Sequence, residues 1–429
     1  MAITINDQPY TWALRGQKLM IVATSDETGN IGFKYGVQVI LNGLPYQFYL
    51  SAAPDTRLYF DMQPLLDTMR NSEPQNFHFA TDDTQLDASG ITLTFTLTEW
   101  WIVGGLFQEN VGSAINGDSA LAVNGYFQVI DAYKPNVQTG TTEVRQSLTS
   151  TSSYAMSDRN NNTSPFYLAE SWGFGAATNS VWIPVLEQDY GVLSIPGNDT
   201  YLTNNTTAVS FKIQIFSSTG VPTSQIIPLN GYDIENLPVY PANLNDWTGL
   251  TVKPSLFPNY RCYTVQVLNA ANNAVSETYV FYNTHDYGQA DCNFDNIRLG
   301  WVNSRGGWDY FNFTKKSEIT NEIERKQYRK VLFNGSTSIF TANDRALTQR
   351  QNLVQQVMTV TSDYITEGEF ILLRSLLASN QVTWITEYAG KFIEVPVNID
   401  DTSFVEKKSS DGKLYNVTLK VRMSNQYNT

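Results

Sequence analysis

Residues 91–101, ITLTFTLTEWW, constrain this chain more than any other stretch. Ile91, Leu93, Phe95 and Leu97 alternate with Thr92, Thr94, Thr96 and Thr98. A period of two belongs to a strand, whose successive side chains point to opposite faces. One face of this strand is apolar and the other, built of threonine, is wet. A helix would scatter the same four apolar residues around its circumference.

The theme recurs in QKLMIVAT, KYGVQVIL and PYQFYLSA, short β-rich runs bounded by turn residues. One helix interrupts, DMQPLLDTMR, with Asp61 as its N-cap. Strands resume in SVWIPVL, AVSFKIQIF, YRCYTVQVL and SETYVFYN. Repeated short strands with turn signals predict a mainly β protein made of several fibronectin- or immunoglobulin-like sandwiches.

Length and charge divide the chain. A chain of 429 residues predicts about two to four domains. Residues 1–290 hold 11 Lys and Arg against 25 Asp and Glu, a net of −14, and residues 291–429 hold 17 against 16, a net of +1. The expected organisation is an N-terminal sandwich over 1–107, a middle β-rich domain over 108–290 and a C-terminal domain over 291–429. Within the middle domain, residues of about 131–165 are rich in Ser, Thr and Asn. They read as a mobile linker or as an arm that orders on a neighbouring subunit.

In the last domain, EITNEIERKQYRK fits a helix and an exposed strand equally well. TEGEFILLRSLLAS predicts a helix, with Thr366 and Glu369 as a capping box and Phe370, Leu373, Leu376 and Leu377 as its apolar stripe. QVTWITEY, KFIEVPVNI and KLYNVTLKVRM follow as strands. The domain is expected to be a sandwich or small barrel carrying one packed helix.

Candidate chemistry is sparse. Charged residues are only 16% of the chain, below the usual ~25%, so the polar surface rests on Asn, Gln, Ser and Thr. An acidic chain lacks the Lys and Arg contacts on which phosphate-backbone affinity depends, so no sequence-specific nucleic acid is expected. No run of about 18 apolar residues predicts a membrane span, and the N-terminus shows no secretion signal. Cys262 and Cys292 have no metal-ligand spacing and read as free buried thiols of a reducing compartment. The two histidines, His78 and His285, make no His-rich site. DCNFDN, from Asp291, opens like a calcium loop but has Asn296 where Gly is needed and Val302 where Glu is needed. Glu99 beside Trp100 and Trp101 is the one candidate carboxylate site, since apolar surroundings suit a sugar-cleaving acid. A strand end with one Trp on each face explains it equally simply. No phosphate loop, nucleophile elbow or zinc motif occurs. The expectation is a non-enzyme with no catalytic residue, cofactor or metal.

Residues 297–313, IRLGWVNSRGGWDYFNF, read as a hairpin. Ile297, Leu299 and Trp301 share one face, NSRGG forms the connection, and Trp308, Tyr310 and Asn312 return opposite Asp309, Phe311 and Phe313. Aromatics on both faces predict burial on both sides. Gly306 and Gly307 supply φ > 0, Arg305 and Asp309 hold the turn or a subunit contact, and Trp301 and Trp308 pack a domain junction.

This stretch, preceded by SETYVFYN and Cys292, resembles a motif of virion proteins from tailed phages infecting Bacteroidota, including crAss-like phages. Their W-x-N-x-x-G-G-[WFY]-D-x-[FY]-x-F segment matches Trp301, Asn303, Gly306, Gly307, Trp308, Asp309, Phe311 and Phe313. ERKQY, ITEGEFILLRSLLASNQVTWI and the N-terminal LYFDMQPLLDTM are also similar to elements of that group. The resemblance implies a structural tail, neck or baseplate protein, synthesised in the host cytoplasm and assembled into the virion as a homo-oligomeric ring. In that reading 291–429 is the assembly domain, and the partners are further copies of the chain and other tail or neck proteins. A receptor- or polysaccharide-binding tail protein is the alternative.

Overall fold

The computed structural model describes residues 3–9, 12–14, 16, 18–68, 77–79, 90–123, 157, 159, 180–196, 208–216, 222–231, 234–256, 262–283, 294–329, 347–365, 367–400, 416–424 and 427–428. The chain divides into two compact units. One comprises Met1–Gly288, Val302–Asp309 and Ile371–Ser379; the other comprises Gln289–Trp301, Tyr310–Phe370 and Asn380–Thr429.

The first unit begins with β1 (Thr4–Asp7), β2 (Trp12–Leu14), β3 (Met20–Thr24), β4 (Lys34–Leu41), β5 (Leu44–Leu50), β6 (Arg57–Asp61), helix α1 (Gln63–Thr68), β7 (Ile91–Val103), β8 (Leu106–Glu109), β9 (Ile115–Asn116) and β10 (Ala120–Val123). These strands form two sheets, β1-β3-β6 and β2-β10-β7-β4-β5, with β8 and β9 also paired to β7. Ile21, Ala23 and Leu58 of the small sheet and Val37, Val39, Phe95 and Leu97 of the large one belong to a single buried core. That shared core makes the pair a β-sandwich.

The alternation in β7 holds along its length: Ile91, Leu93, Phe95 and Leu97 are buried while the threonines stay half-buried or exposed. Each such burial is worth roughly 1.5–3 kcal/mol. Met62, not Asp61, holds the N-cap position of α1, its carbonyl accepting from Leu66 N at 3.3 Å; Asp61, one residue earlier, accepts from Gln63 N through Oδ1 at 3.0 Å. The first sandwich continues past residue 107, because β10 pairs with both β7 and β2. The turn-rich sequence between β8 and β10 hid that continuation.

The unit continues with β11 (Ser180–Val185), β12 (Leu193–Pro196), β13 (Ser210–Phe216), β14 (Pro222–Pro228), β15 (Ile234–Leu237), α2 (Pro241–Asp246), β16 (Cys262–Leu268) and β17 (Thr278–Asn283). The sheets are β11-β17-β16-β13-β14 and β12-β15. Only β11–β17 runs parallel. Tyr263, near the start of β16, donates its hydroxyl to Val239 O at 2.7 Å, just beyond β15. The Tyr263 ring stacks on Phe281, which Tyr240 meets edge-on. Cys262 is a free, buried thiol whose pKa burial pushes up; Cys292 lies outside the described residues, as do His285 and Asp291–Asn293 of the calcium-like loop.

The second unit is built on one open antiparallel sheet from β18 (Ile297–Val302), β19 (Trp308–Phe313), β20 (Glu318–Arg329), β21 (Leu347–Thr361), β22 (Val382–Tyr388), β23 (Lys391–Ile399), β24 (Thr418–Met423) and β25 (Tyr427–Asn428), of which Val302, Trp308 and Asp309 group with the first unit. The order is β19-β18-β22-β23-β24-β21-β20, with β25 on β21. EITNEIERKQYR is therefore a strand, and helix α3 (Glu367–Ala378) falls where TEGEFILLRSLLAS predicts it. Its buried residues are Phe370, Leu372, Leu373, Ser375 and Leu376. The stripe is rotated toward Leu372, and Leu377 is only half-buried. Thr366 lies outside the described residues. Residues Ile371–Ser379 group with the first unit, so the expected 291–429 domain is not one contiguous body.

Arg422 of β24 crosses the sheet. It holds Asp400 bidentately, and its Nη1 reaches Glu322 at 2.9 Å and Gln355 at 2.8 Å. The hydrogen bond from Arg422 holds the Asp400 carboxyl below its usual value. A depressed carboxylate stabilises the fold above its unfolded pKa and loses that contribution as pH falls through the lower folded value. Arg422→Met should therefore melt at a lower urea concentration than the wild type at neutral pH, and the gap should close in acid. Urea melts of both proteins at the two pH values check this.

Candidate functional site

The motif stretch folds as a chain of buried backbone and side chains. All of β18, and all of β19 except the half-buried Asn312, is buried, as aromatics on both faces required. Asn303 organises the turn between the two strands. Its N–H donates to Gly307 O at 2.9 Å, and its carbonyl accepts from Gly306 N at 3.2 Å. Its side-chain Oδ1 accepts from Arg305 N at 3.0 Å and Gly307 N at 3.1 Å. This is an Asx-type turn, in which the side chain imitates a backbone carbonyl. Gly306 alone takes the left-handed conformation, at φ 87°. Gly307 serves through its backbone hydrogen bonds, not through positive φ.

The motif's acid is buried with the turn. Asp309 accepts from Asn303 Nδ2 at 2.9 Å through Oδ2 and from the Ser157 hydroxyl through Oδ1. Ser157 Oγ also accepts from Arg159 N at 3.1 Å. Ser157 and Arg159 are buried, and they are the described residues of the Ser/Thr/Asn-rich segment. The rest of that segment lies outside the described residues. Trp308 N donates to Ser194 Oγ at 3.2 Å, and Ser194 donates on to Asn236 Oδ1 at 2.6 Å. The Trp308 indole meets His78 edge-on at 4.4 Å. Asn243 fastens the His78 segment by donating to its carbonyl at 2.9 Å.

The eight motif residues thus divide between the units. Asn303, Gly306, Gly307, Trp308 and Asp309 come together in the first unit, whereas Trp301, Phe311 and Phe313 belong to the second. Phe311 and Phe313 meet edge-on at 5.0 Å. Sequence reasoning missed Arg298, Gly300 and Tyr310 as a set. The Arg298 guanidinium lies 4.8 Å from the Tyr310 ring centre and donates to Asn312 Oδ1 at 3.0 Å. A Cβ on Gly300 would fall 2.9 Å from the Tyr310 ring, so glycine leaves room for that ring to lie on the strand. A glycine interrupting a strand pattern was the available signal.

Glu99 continues the inward-facing series of β7 and is wholly buried, with 0% exposure. Its Oε1 accepts from Ser25 Oγ at 2.6 Å and its Oε2 from Asn110 Nδ2 at 2.9 Å. Both oxygens are engaged by these two donors within the sandwich. Across the strand pair lies Tyr35, whose hydroxyl burial pushes up to about 12 and which donates to Thr56 O at 2.8 Å. Glu99→Gln should cost about 1–2 kcal/mol, because an NH2 then faces one of the two donors. A thermal melt checks this.

Trp101 packs against the sandwich core. Trp100 points outward and forms a cluster with Tyr49 at 5.0 Å and Phe107 at 5.4 Å. Among the described residues no group of three or more His, Cys, Asp or Glu is placed to hold a metal, and no helix is long and apolar enough to cross a membrane.

No protein-family model matches the chain, and no curated protein matches it. Among solved structures it is similar to the FN1–FN3 domains of chicken CNTN1, at 9% identity and a TM-score of 0.15. That match covers 64% of this chain and 62% of the other. At that score the likeness carries no argument; the sandwich assignment rests on strand pairing and the shared core.

Proposed function

We propose that the chain is a structural protein of a tailed-phage virion, forming or docking to a ring of the tail, neck or baseplate, and that it is not an enzyme. The observation that supports this is the fate of the motif's polar residues. Asn303 and Asp309 are buried; Asn303 holds the turn, and Asp309 accepts from both Asn303 and Ser157. Residues used in that way build a body and do not meet a substrate. The resemblance of 301–313 to virion proteins of phages infecting Bacteroidota names the kind of body. On this reading the chain is made in the host cytoplasm and ends in the virion tail beside further copies of itself and other tail or neck proteins. Mass spectrometry of purified particles, with a particle map, tests it. The chain should be present at a fixed copy number in a ring, and its absence from particles would overturn the proposal.

One observation favours a second reading, a receptor- or polysaccharide-binding tail protein. Tyr49, Trp100 and Phe107 form an aromatic cluster on the outer side of the first sandwich, with Tyr49 and Phe107 exposed. Exposed aromatic rings suit sugar faces. A glycan array should show binding that Trp100→Ala removes if this reading holds, and no binding if the chain is only a scaffold.

A further inference from the structure

We infer that β20 is an interface for a second copy of this chain, paired edge to edge and antiparallel. β20 ends the sheet, and all twelve of its residues are exposed, with Ile319 at 56%, Ile323 at 47% and Tyr328 at 47%. Such an edge leaves a row of backbone N–H and C=O groups open to another strand. Among the described residues its only neighbour is β21, which β24 supports over 357–361 and β25 at 353–354. Beyond that, residues 325–329 and 347–352 form a two-stranded ribbon without a third strand among the described residues. Ribbons of two strands are marginal in water.

The charges on the edge say what fits it. Glu318, Glu322 and Glu324 occupy its first half; Arg325, Lys326 and Arg329 occupy its second. The partner strand β21 carries only Arg350, so it does not balance them. Glu322 is held by Arg422 and Glu318 by Lys316, whereas Glu324, Arg325, Lys326 and Arg329 have no ion pair among the described residues. Charges of one sign along an edge would repel a second copy. Charges sorted by sign do the reverse: antiparallel approach sets each acidic half against a basic half, and parallel approach sets like on like. The pairing also covers Ile319 and Ile323, which share a face. A two-fold contact of this kind closes at two copies. It does not rest on the virion reading.

Sedimentation of the full chain over a dilution series tests the inference. The wild type should form a dimer that weakens as salt rises. R325E/K326E/R329E should make the edge acidic and weaken the dimer roughly a hundredfold or more, and E318K/E324K should make it mostly basic with a similar loss. Mixed together, the two variants should form a one-to-one heterodimer. Circular dichroism should be unchanged, since these side chains are exposed. A wild type that stays monomeric at tens of micromolar, roughly the range a weak contact needs, would overturn the inference. So would a dimer indifferent to both sets of substitutions, or variants that stay apart when mixed.

Discussion

Asn303→Leu is expected to lower the stability of the first unit by roughly 3–4 kcal/mol, a large effect for one side chain. Three separate losses combine. The Arg305 and Gly307 N–H groups lose their acceptor, at 3.0 and 3.1 Å in the native turn. The buried Asp309 carboxylate loses the amide donor at 2.9 Å and keeps the Ser157 hydroxyl. Leucine offers nothing in return, because the site is lined by polar groups. Asn303→Asp separates the contributions. It keeps an acceptor for the two backbone donors but sets a carboxylate against Asp309. Two facing carboxylates raise a pKa. The variant should therefore be weakest at neutral pH and recover as pH falls and one of the pair takes a proton, the opposite sign to the Asp400–Arg422 dependence. Differential calorimetry across pH reads both variants. If Asn303→Leu melts like the wild type, the turn is not the keystone described here.

Gly117→Val is expected to be at least as damaging, costing roughly 3 kcal/mol or more through overpacking. Gly117 follows β9, and its N–H donates to Phe95 O at 2.9 Å. A Cβ built there would fall on the Phe95 ring, far inside van der Waals contact. Phe95 cannot step aside, since it is buried in the core that both sheets of the first sandwich share. Gly117→Ala should already show most of the loss, because the clash begins at Cβ. Gly43→Ala is the control: it has φ 81° but nothing within 4 Å of its Cβ, so it suffers backbone strain alone, about 1 kcal/mol. Denaturant melts of the three variants should rank them in that order.

The fold class was legible wherever one face of a strand is buried. Ile91 to Leu97 alternate as they must if water lies on one side only, and β24 repeats the pattern with Leu419, Val421 and Met423 inward. The hairpin at 297–313 was legible too, because its glycines and paired aromatics are local signals. β20 was not. Glu318–Arg329 has no buried face, so no period marks it, and it is a strand because β21 pairs with it along its whole length. Glu99 illustrates the same limit from the other side. Its parity in β7 pointed inward, but Ser25 and Asn110 supply the hydrogen bonds that let a carboxylate stay there.

By itself, then, the sequence determined the local conformations: strand period, the turn at Asn303–Gly307 and the apolar helix of 367–378. Tertiary structure alone decided what those pieces are for. It brought Ser157, Ser194 and Asn236 to the motif's Asp309 and Trp308, placed residues 302–309 and 371–379 with the first unit, and left β20 at an open edge. The physical reason is range. Alternation and turn chemistry depend on neighbours a few residues away. The satisfaction of a buried polar group depends on partners more than a hundred residues distant, which only the folded chain brings within hydrogen-bonding reach.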